Sequence, residues 1–363
     1  MKTIIMTVTN DLAFDQRMIR ICTSLSENGY KVILVGRLKR KSITLESQNF
    51  NQKRIKCLFE QGKLFYMEYN IKLLFYLLFK KFDIVCAIDL DTLMPGYIAA
   101  KIKGKHIVFD AHEYFPEVPE VIERPFVQKA WYTLERSILP NIDYAYTVSE
   151  SIANIYQKEY KTPFLTIRNM PILSPKTEIK SISKDDRYIL YQGALNEGRG
   201  LEELLTAMPL IDCKLVLAGE GDLSLRLRKL ARKLKIHDKV KFLGFVPPHK
   251  LKSLTENAYI GFNVSKNLGL SYYYSLNNKF FDYIHAGLPS ITNDFPEYRK
   301  LNEEFEVAVL IDLSVENISM SMNELLENEN HYKQLKSNCF LARNLYNWEN
   351  EEKKLLQLYN NID

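Results

Sequence analysis

The sequence lacks the features that mark secreted, membrane-spanning and nucleic-acid-binding proteins. Its five cysteines are scattered and include no Cys-x-x-Cys pair, so we expect reduced thiols in a cytosolic protein. No apolar run reaches transmembrane length, and the apolar first ten residues are too short for a secretory signal. The net charge of +5 is too small to indicate nucleic acid but suits an anionic substrate or membrane surface. These absences favour a cytoplasmic location, with a peripheral position at the inner face of the membrane left open.

Hydrophobic residues make up 46% of a 363-residue chain, which is enough for two domains with large cores. In the first half, apolar runs alternate with amphipathic stretches. The predicted strands are residues 3–8, 31–35, 84–88, 106–109 and 144–148, and the predicted helices are 14–27, 71–80, 92–101 and 128–139. The runs are apolar on both faces, as parallel strands under helices are. The pattern predicts a doubly wound α/β sheet.

The alternation stops at residues 169–186, where prolines and then charges indicate a linker. It then restarts, and the last sixty residues are mainly helical. The predicted strands of the second half are residues 188–191, 214–218, 240–243, 259–264, 290–292 and 308–311. We therefore expect two Rossmann-like domains facing across a cleft, with ligands beyond the carboxyl ends of the strands.

The segment from Ser275 to Asp294 carries the strongest site signal. It predicts a short helix with Lys279 in its first turn, where the helix dipole disfavours a cation. A cation in that place suggests an anion nearby. Asn278 and Asp282 are four residues apart and share a helix face. Backbone amides and Lys279 would hold a nucleotide diphosphate, and Asp282 would bind ribose hydroxyls.

Two glycine-containing loops each follow a strand and precede a helix. One contains Gly193 and Arg199, and the other contains Gly219 and Glu220. Both suit the close approach of a phosphate, with Arg199 as a charged clamp. An ordinary strand-to-helix turn remains an alternative for each, and in the second Asp222 would cap the helix. The second loop also lacks the full Gly-x-Gly-x-x-Gly pattern.

Titratable residues follow two strands of the first half. His112 and Glu113 come after a buried strand together with Asp110, in a position that suits hydrogen bonding to a sugar or acid/base work. A satisfied structural imidazole is the alternative for His112. Asp89 and Asp91 match the Asp-x-Asp pattern of some metal sites. We expect no metal there, because the phosphate-like features all lie in the second half, and we place both residues on the acceptor side.

The loop from Thr7 to Arg17 has no glycine-rich cradle, which argues against a nucleotide site in the first domain. Its polar groups, Asn10 among them, fit the hydroxyls of an acceptor. Asp15 and Arg17 predict a local ion pair at the start of the helix.

An aromatic-rich stretch, Leu64–Phe82, ends in Lys80 and Lys81 and is preceded by the basic run Arg37–Lys41. A membrane-facing surface is one interpretation. A buried helix with a charged end is the interpretation that we favour.

In order and spacing, these motifs resemble glycosyltransferase family 4, the retaining GT-B group. The resemblance spans nearly the whole chain. Its motifs are Gln192-Gly193, Arg199-Gly200, Gly219-Glu-Gly221, Leu243-Gly-Phe-Val246, Asn278–Tyr283, Ala286-Gly-Leu-Pro289, Asp110–Glu113 and Tyr346–Glu349. It implies a GT-B fold with an acceptor-side domain at 1–172, a donor-side domain at 185–345 and a terminal helix, about 346–363, that packs back on the first domain.

The resemblance assigns roles unevenly. Arg199 matches the basic residue that contacts the donor pyrophosphate. A second basic residue is often found where this chain has Ala194, and our hypothesis is that Lys279 replaces it. Asp282 matches the second, ribose-binding glutamate of a Glu-x7-Glu pair, and the first position falls on Tyr274, which is no carboxylate.

The implied reaction moves a sugar from a nucleotide-diphosphate sugar to an acceptor hydroxyl with retained configuration, in surface polysaccharide or glycolipid assembly. The implied partners are the nucleotide sugar and a saccharide or lipid-linked acceptor, with no cofactor and no metal. The implied catalytic residues are His112, Arg199 and Lys279. The implied donor site is Gly193, Arg199, Gly219, Glu220, Val246, Asn278, Lys279 and Asp282, and the acceptor side is Asn10, Asp89, Asp91 and Glu113. The alternatives are a GT-B nucleotide-sugar epimerase and an inactive binding subunit of a polysaccharide assembly machine.

Overall fold

The computed structural model describes residues 1–175 and 183–362. The chain divides into two compact units: unit 1 is Met1–Asn169 with Glu351–Asp363, and unit 2 is Met170–Asn350. Of the predicted linker, residues 176–182 lie outside the described residues, and so does residue 363 of the predicted terminal helix.

Unit 1 is built on a parallel sheet, in which the described residues form seven strands in the order β3-β2-β1-β4-β5-β6-β7. The strands are β1 Thr3–Thr7, β2 Lys31–Leu38, β3 Asn51–Lys56, β4 Ile84–Ile88, β5 His106–Ala111, β6 Tyr144–Thr147 and β7 Phe164–Thr166. The helices are α1 Gln16–Glu27, α2 Gly62–Phe79, α3 Leu90–Lys103, α4 Pro119–Ile122, α5 Pro125–Ile138 and α6 Glu150–Tyr160. All five residues of β4 are buried, as expected of a central parallel strand.

Unit 2 holds a second parallel sheet, with six strands among its described residues in the order β10-β9-β8-β11-β12-β13. The strands are β8 Tyr188–Gln192, β9 Lys214–Ala218, β10 Val240–Gly244, β11 Ile260–Asn263, β12 Ser290–Asn293 and β13 Ala308–Ile311. The helices are α7 Leu201–Ala207, α8 Ser224–Lys233, α9 Pro248–Glu256, α10 Leu270–Tyr273, α11 Asn278–Ala286, α12 Pro296–Glu304, α13 Val315–Glu327 and α14 Glu329–Ala342. The predicted α/β class is therefore confirmed for both halves of the chain.

The last helix, α15 Trp348–Asn360, ends within unit 1. Tyr359 is fully buried, and its ring lies edge-on to Tyr30, with ring centroids 6.3 Å apart. The Lys2 ammonium donates a 2.5 Å hydrogen bond to the carbonyl of Ile362. The carboxyl end of the chain is thereby bound to β1 and its surroundings.

The start of α1 corrects one prediction. Asp15 caps the helix, because its side chain accepts a hydrogen bond from the backbone N–H of Met18. Arg17 lies on the buried face and forms its ion pair with Asp110 of β5, at 2.9 Å. The predicted ion pair between Asp15 and Arg17 is therefore wrong. A buried guanidinium needs a buried carboxylate, and the sheet supplies one far away in sequence.

The position of α11 is fixed by Tyr283. Its hydroxyl donates to the carbonyl of Leu190 at 3.1 Å, and a Cβ added to Gly261 would lie 2.5 Å from its ring. Glycine at 261 therefore allows the tyrosine ring to pack closely against β11. This packing brings the first turn of α11, with Lys279, over the ring of Tyr191 in β8.

A buried carboxyl in α5 generates a prediction about stability. Glu135 is fully buried and accepts a 2.9 Å hydrogen bond from the Tyr160 hydroxyl. Burial, only partly offset by that bond, raises its pKa from 4.5 to about 7. Between those values the folded state binds more protons than the unfolded state, so the free energy of unfolding must fall as pH rises.

We expect Glu135→Gln to remove this loss, which amounts to about 3 kcal/mol between pH 4.5 and pH 7. Urea unfolding at both pH values, followed by the fluorescence of Trp131 in a Trp348→Phe background, measures it. The exposed residue Glu123, which precedes α5, supplies the control, Glu123→Gln, which should keep the wild-type pH dependence. An equal pH dependence in all three proteins would contradict the assignment.

Candidate functional site

Two predicted glycine loops of unit 2 lie directly against each other. A Cβ added to Gly219 would lie 1.8 Å from the carbonyl oxygen of Gly193, so no side chain fits there. The Gly193 N–H donates to the carbonyl of Ala218 at 3.0 Å. The close contact leaves an open backbone surface at the carboxyl ends of β8 and β9. Such a surface suits the approach of a phosphate.

Lys279 and Arg199 form a pair of cations beside this surface. Lys279 is only 8% exposed, and its ammonium lies 4.1 Å from the centroid of the Tyr191 ring. No carboxylate pairs with it in the described parts of the chain. Burial, followed by the positive charge of Arg199, lowers the pKa of Lys279 well below its usual value. A buried, unpaired ammonium is costly, and a bound anion would offset the cost.

Arg199 is held in place by groups that leave it without a carboxylate among the described residues. Its Nη1 donates to Asn277 Oδ1 at 3.3 Å, and its guanidinium lies 4.7 Å from the centroid of the Tyr272 ring. Asn277 also donates to Asn263 Oδ1 at 3.1 Å and makes no side-chain cap of α11. The Asn277 side chain therefore does not cap the start of α11, which is the end of the helix dipole that attracts an anion.

Asp282 is oriented by a short chain of hydrogen bonds. Gln192 donates to Asp282 Oδ2 at 2.8 Å, and the oxygen of the same amide accepts a 2.7 Å bond from the Thr255 hydroxyl. This arrangement fixes a half-buried carboxylate one helix turn beyond Asn278. Gln192 was named from the sequence only as part of the Gln192-Gly193 motif, without a role, and Thr255 was not singled out at all.

The remaining residues predicted for the donor site are Glu220, Val246 and Asn278. The Glu220 carboxylate pairs with Arg228 at 3.1 Å, and Val246 packs on the apolar layer that contains Tyr283. Asn278 is the exposed first residue of α11. At the position of the missing first glutamate, the ring of Tyr274 lies edge-on to Tyr273. These residues remain predictions for the donor site.

In unit 1, Asp110 connects Arg17 and His112. It accepts a 2.9 Å bond from Arg17, and its other oxygen lies 3.0 Å from His112 Nε2. Burial alone would raise the pKa of Asp110, but the charges of Arg17 and His112 outweigh it and hold the pKa below its usual value. His112 Nδ1 faces Asp89 at 3.8 Å. The imidazole is therefore oriented by its hydrogen bond to Asp110, and its second ring nitrogen faces the Asp89 carboxyl beyond hydrogen-bond distance.

Asp89 and Asp91 lie beside this cluster with raised pKa values. Burial raises the pKa of each to about 7, and their mutual repulsion adds to the shift of Asp89. Asp89 accepts the backbone N–H of His112 at 2.8 Å and has a φ of 57°, which is rare for a residue other than glycine. Asp91 accepts the hydroxyl of Thr9 at 2.5 Å. With pKa values raised this far, Asp89 and Asp91 bind protons at a higher pH than ordinary carboxyls, which reduces the negative charge at this edge of the sheet.

The other acceptor-side predictions lie close by. Asn10 donates to Asp15 at 3.2 Å, and the negative charge of Glu113 contributes to the raised pKa of Asp91. Among residues 1–175 and 183–362, no three His, Cys, Asp or Glu side chains are grouped to hold a metal ion. Asp110, Arg17 and Thr9 join the predicted residues here, and only Asp110 belonged to a recognised motif.

Comparison with protein families places both halves of the chain. The family model described as Glycosyltransferase Family 4 matches residues 16–169, and the model described as Glycosyl transferases group 1 matches residues 175–340. The chain belongs to glycosyltransferase family 4 and is a glycosyltransferase. The predicted family and enzyme class are confirmed.

Solved structures show the same fold over the full length. Sucrose-phosphate synthase from Thermosynechococcus elongatus has a TM-score of 0.83 at 16% identity, covering 99% of this chain and 98% of that one. Anabaena HepE, solved in complex with UDP-glucose, has a TM-score of 0.77 at 12% identity, covering 99% and 100%. At these identities the likeness shows the fold alone, and the predicted GT-B fold is confirmed.

A curated relative matches a shorter segment. An uncharacterised glycosyltransferase of Methanocaldococcus jannaschii is 41% identical over 81 residues, which is 21% of this chain and 21% of the relative. The matched segment thus spans about a fifth of the length of that relative.

Proposed function

We propose that the protein transfers a sugar from a nucleoside-diphosphate sugar to an acceptor hydroxyl, with retention of configuration. The observation that carries this proposal is the buried ammonium of Lys279, which lies next to Arg199 and has no carboxylate partner in the described residues. A diphosphate supplies the missing negative charge. The HepE complex with UDP-glucose supports a nucleotide sugar as donor on this fold.

In the proposed reaction, the bond between the sugar C1 and the diphosphate oxygen breaks, and a bond from the acceptor oxygen to C1 forms on the same face. The proton of the acceptor hydroxyl passes to the departing diphosphate. Lys279, Arg199 and the first amides of α11 stabilise the negative charge that develops on the leaving group. Asp282, held by Gln192, binds the ribose hydroxyls. Retention is carried over from the family resemblance.

His112 is assigned to the donor sugar, and the acidic cluster around Asp89 and Asp91 to the acceptor. Because both ring nitrogens of His112 face carboxylates, we assign it an orienting and electrostatic role rather than that of a general base. The cationic pair supplies the positive charge that a divalent metal otherwise contributes to diphosphate departure. We therefore propose that the reaction needs no metal, and activity retained in EDTA tests this.

Replacing Lys279 with Met should change nucleotide affinity and protein stability in opposite directions. We expect Lys279→Met to weaken nucleoside-diphosphate binding about 10- to 100-fold, the loss of one charge-assisted contact. The melting temperature of the free protein should rise, because an unpaired buried charge is removed. Calorimetric titration with UDP, GDP and ADP, together with thermal melting, measures both effects.

A matched control lies in the same unit. Lys336 also faces an aromatic ring, with its ammonium 6.0 Å from the centroid of Tyr332, but it lies in α14 and is not part of the proposed donor site. Lys336→Met should therefore leave nucleotide binding unchanged. Lys279→Arg should keep part of the affinity. If no nucleoside diphosphate binds the wild-type protein, or if Lys279→Met binds it as tightly, the proposed donor site is wrong. Epimer formation from the donor without an acceptor would instead indicate an epimerase.

The surface of α2 supports a membrane-bound acceptor. One face of this helix carries an exposed apolar stripe, the α2 stripe, which consists of Leu64, Met67, Ile71, Phe75 and Phe79. Phe75 is 56% exposed and Phe79 84%. Lys63 lies in the first turn of the helix, and Lys80 and Lys81 follow its last residue; all three are exposed. No helix among the described residues is long and apolar enough to cross a membrane.

We also propose that the α2 stripe docks on an anionic lipid bilayer and brings the enzyme to a lipid-linked acceptor of surface polysaccharide or glycolipid assembly. Glu68 is the acidic residue of this helix, and it is tied to Lys72 at 2.6 Å and to the backbone N–H of Leu58. The face therefore presents apolar side chains and lysines, the combination that interfacial helices use.

We expect Phe75→Ser with Phe79→Ser to lower binding to phosphatidylglycerol-containing vesicles at least about tenfold, since two large apolar groups no longer insert. Cosedimentation with vesicles measures the effect. Phe245→Ser removes an exposed phenylalanine of unit 2 and is the control. Equal binding by all variants, or binding to neutral vesicles alone, would contradict this docking surface.

A further inference from the structure

A cavity of about 280 Å³ opens in unit 1 where β1, β2 and α2 meet. Its lining includes Thr9, Asn10, Arg37, Glu60, Phe65 and Tyr66. The lining combines one guanidinium and one carboxylate with aromatic rings, a hydroxyl and two side-chain amides. This mixture is typical of a site for a small polar ligand with an apolar face.

Arg37 is fixed in this cavity without an ionic partner. Its guanidinium lies 4.4 Å from the centroid of the Phe65 ring, and its Nη1 donates to the carbonyl of Glu60 at 3.2 Å. Its Nε is buried and makes no hydrogen bond. No carboxylate pairs with Arg37 in the described parts of the chain. The plane of the guanidinium is thus set, while most of its donors stay unused.

The carboxylate in the lining of the cavity belongs to Glu60, and it interacts with Arg40 rather than with Arg37. Glu60 Oε1 accepts the backbone N–H of Arg40 at 2.7 Å and lies 4.0 Å from the Arg40 side chain. Exposed cations stand close in the sequence to residues that line the cavity. Lys39, Arg40 and Lys41 come shortly after Arg37, and Lys63 in the first turn of α2 follows Gly62. The surroundings therefore favour a ligand that carries negative charge.

The other wall connects the cavity to the acceptor-side carboxylates. Thr9 lines the cavity and donates its hydroxyl to Asp91 at 2.5 Å, and Asn10 lines it next to Thr9. Tyr66 adds an aromatic ring, which is supported edge-on by Trp131 with ring centroids 6.4 Å apart. Rings of this kind pack against the apolar face of a sugar, while the hydroxyl and the amide bond to its edge.

We propose that this cavity binds an acidic sugar unit of the acceptor, with its oxyanion, a carboxylate or a phosphate ester, held by the two-pronged guanidinium of Arg37. This proposal rests on the proposed function, because it names the class of acceptor for the same transferase. The sugar ring lies against Tyr66, and the Thr9 hydroxyl connects the ligand to Asp91.

The test compares four probes: p-nitrophenyl glucuronide, p-nitrophenyl glucoside, glucose 6-phosphate and inorganic phosphate. We expect glucuronide or glucose 6-phosphate to bind at least about tenfold more tightly than the neutral glucoside, as one charge-assisted pair provides. Arg37→Met should abolish that preference. Lys31→Met, which removes an equal charge from the exposed amino end of β2, should keep it. Ligand-observed NMR titration measures all four affinities.

Each outcome decides one part of the proposal. Equal affinity for glucoside and for both acidic sugars, or an Arg37→Met protein with its preference intact, would overturn it. Inorganic phosphate binding as tightly as glucose 6-phosphate would overturn the sugar assignment. Retained nucleotide binding by Arg37→Met shows that unit 2 is intact. If acidic sugars bind but no nucleotide does, the proposed function fails while the acidic-sugar site stands.

Discussion

The proposed donor site depends on one buried cation that has no carboxylate partner among the described residues. Lys279 lies under the surface at the start of α11, over the ring of Tyr191 and next to Arg199. Such an arrangement lowers the stability of the free protein, because two positive charges share a partly dehydrated space. It persists because the surrounding packing fixes it: Tyr283 holds α11 against β8 and β11. In the proposed function, a bound anion offsets this cost.

The predicted acidic residues of the donor site have partners other than this cation. Asp282 is bound by Gln192, and Glu220 by Arg228. Unit 1 shows the opposite balance, with Asp89 and Asp91 in excess and their pKa values raised to about 7. One unit therefore carries positive charge suited to a diphosphate, and the other carries carboxylates and hydroxyl-binding groups suited to a sugar. The two local charge balances support a division into donor and acceptor roles.

Local pattern predicted much of the fold and the residues at the centre of the proposed donor site. Strands 84–88, 214–218 and 308–311 match β4, β9 and β13, because buried parallel strands are continuous apolar runs. The edge strand β3 was missed, since its sequence is mostly polar and charged. Lys279 and Asp282 were predicted because helix spacing and the helix dipole are local properties. The predicted pairing of Arg17 with Asp15 was wrong because the actual partner, Asp110, is distant in sequence. Only the order of the strands brings Arg17 and Asp110 together. The unpaired state of Arg37 had no sequence signal, since it depends on where Glu60 points.

The measurement that tests the central claim most directly is the pKa of the Lys279 ammonium, followed by the ¹³Cε chemical shift of labelled lysine. Lys279→Arg assigns the resonance. In the free protein the pKa must lie well below 10.5, the usual value for lysine. With saturating UDP, GDP or ADP, whichever binds, it must rise, because the diphosphate stabilises the charged form. An ordinary pKa in the free protein that does not change with any nucleotide would contradict the account.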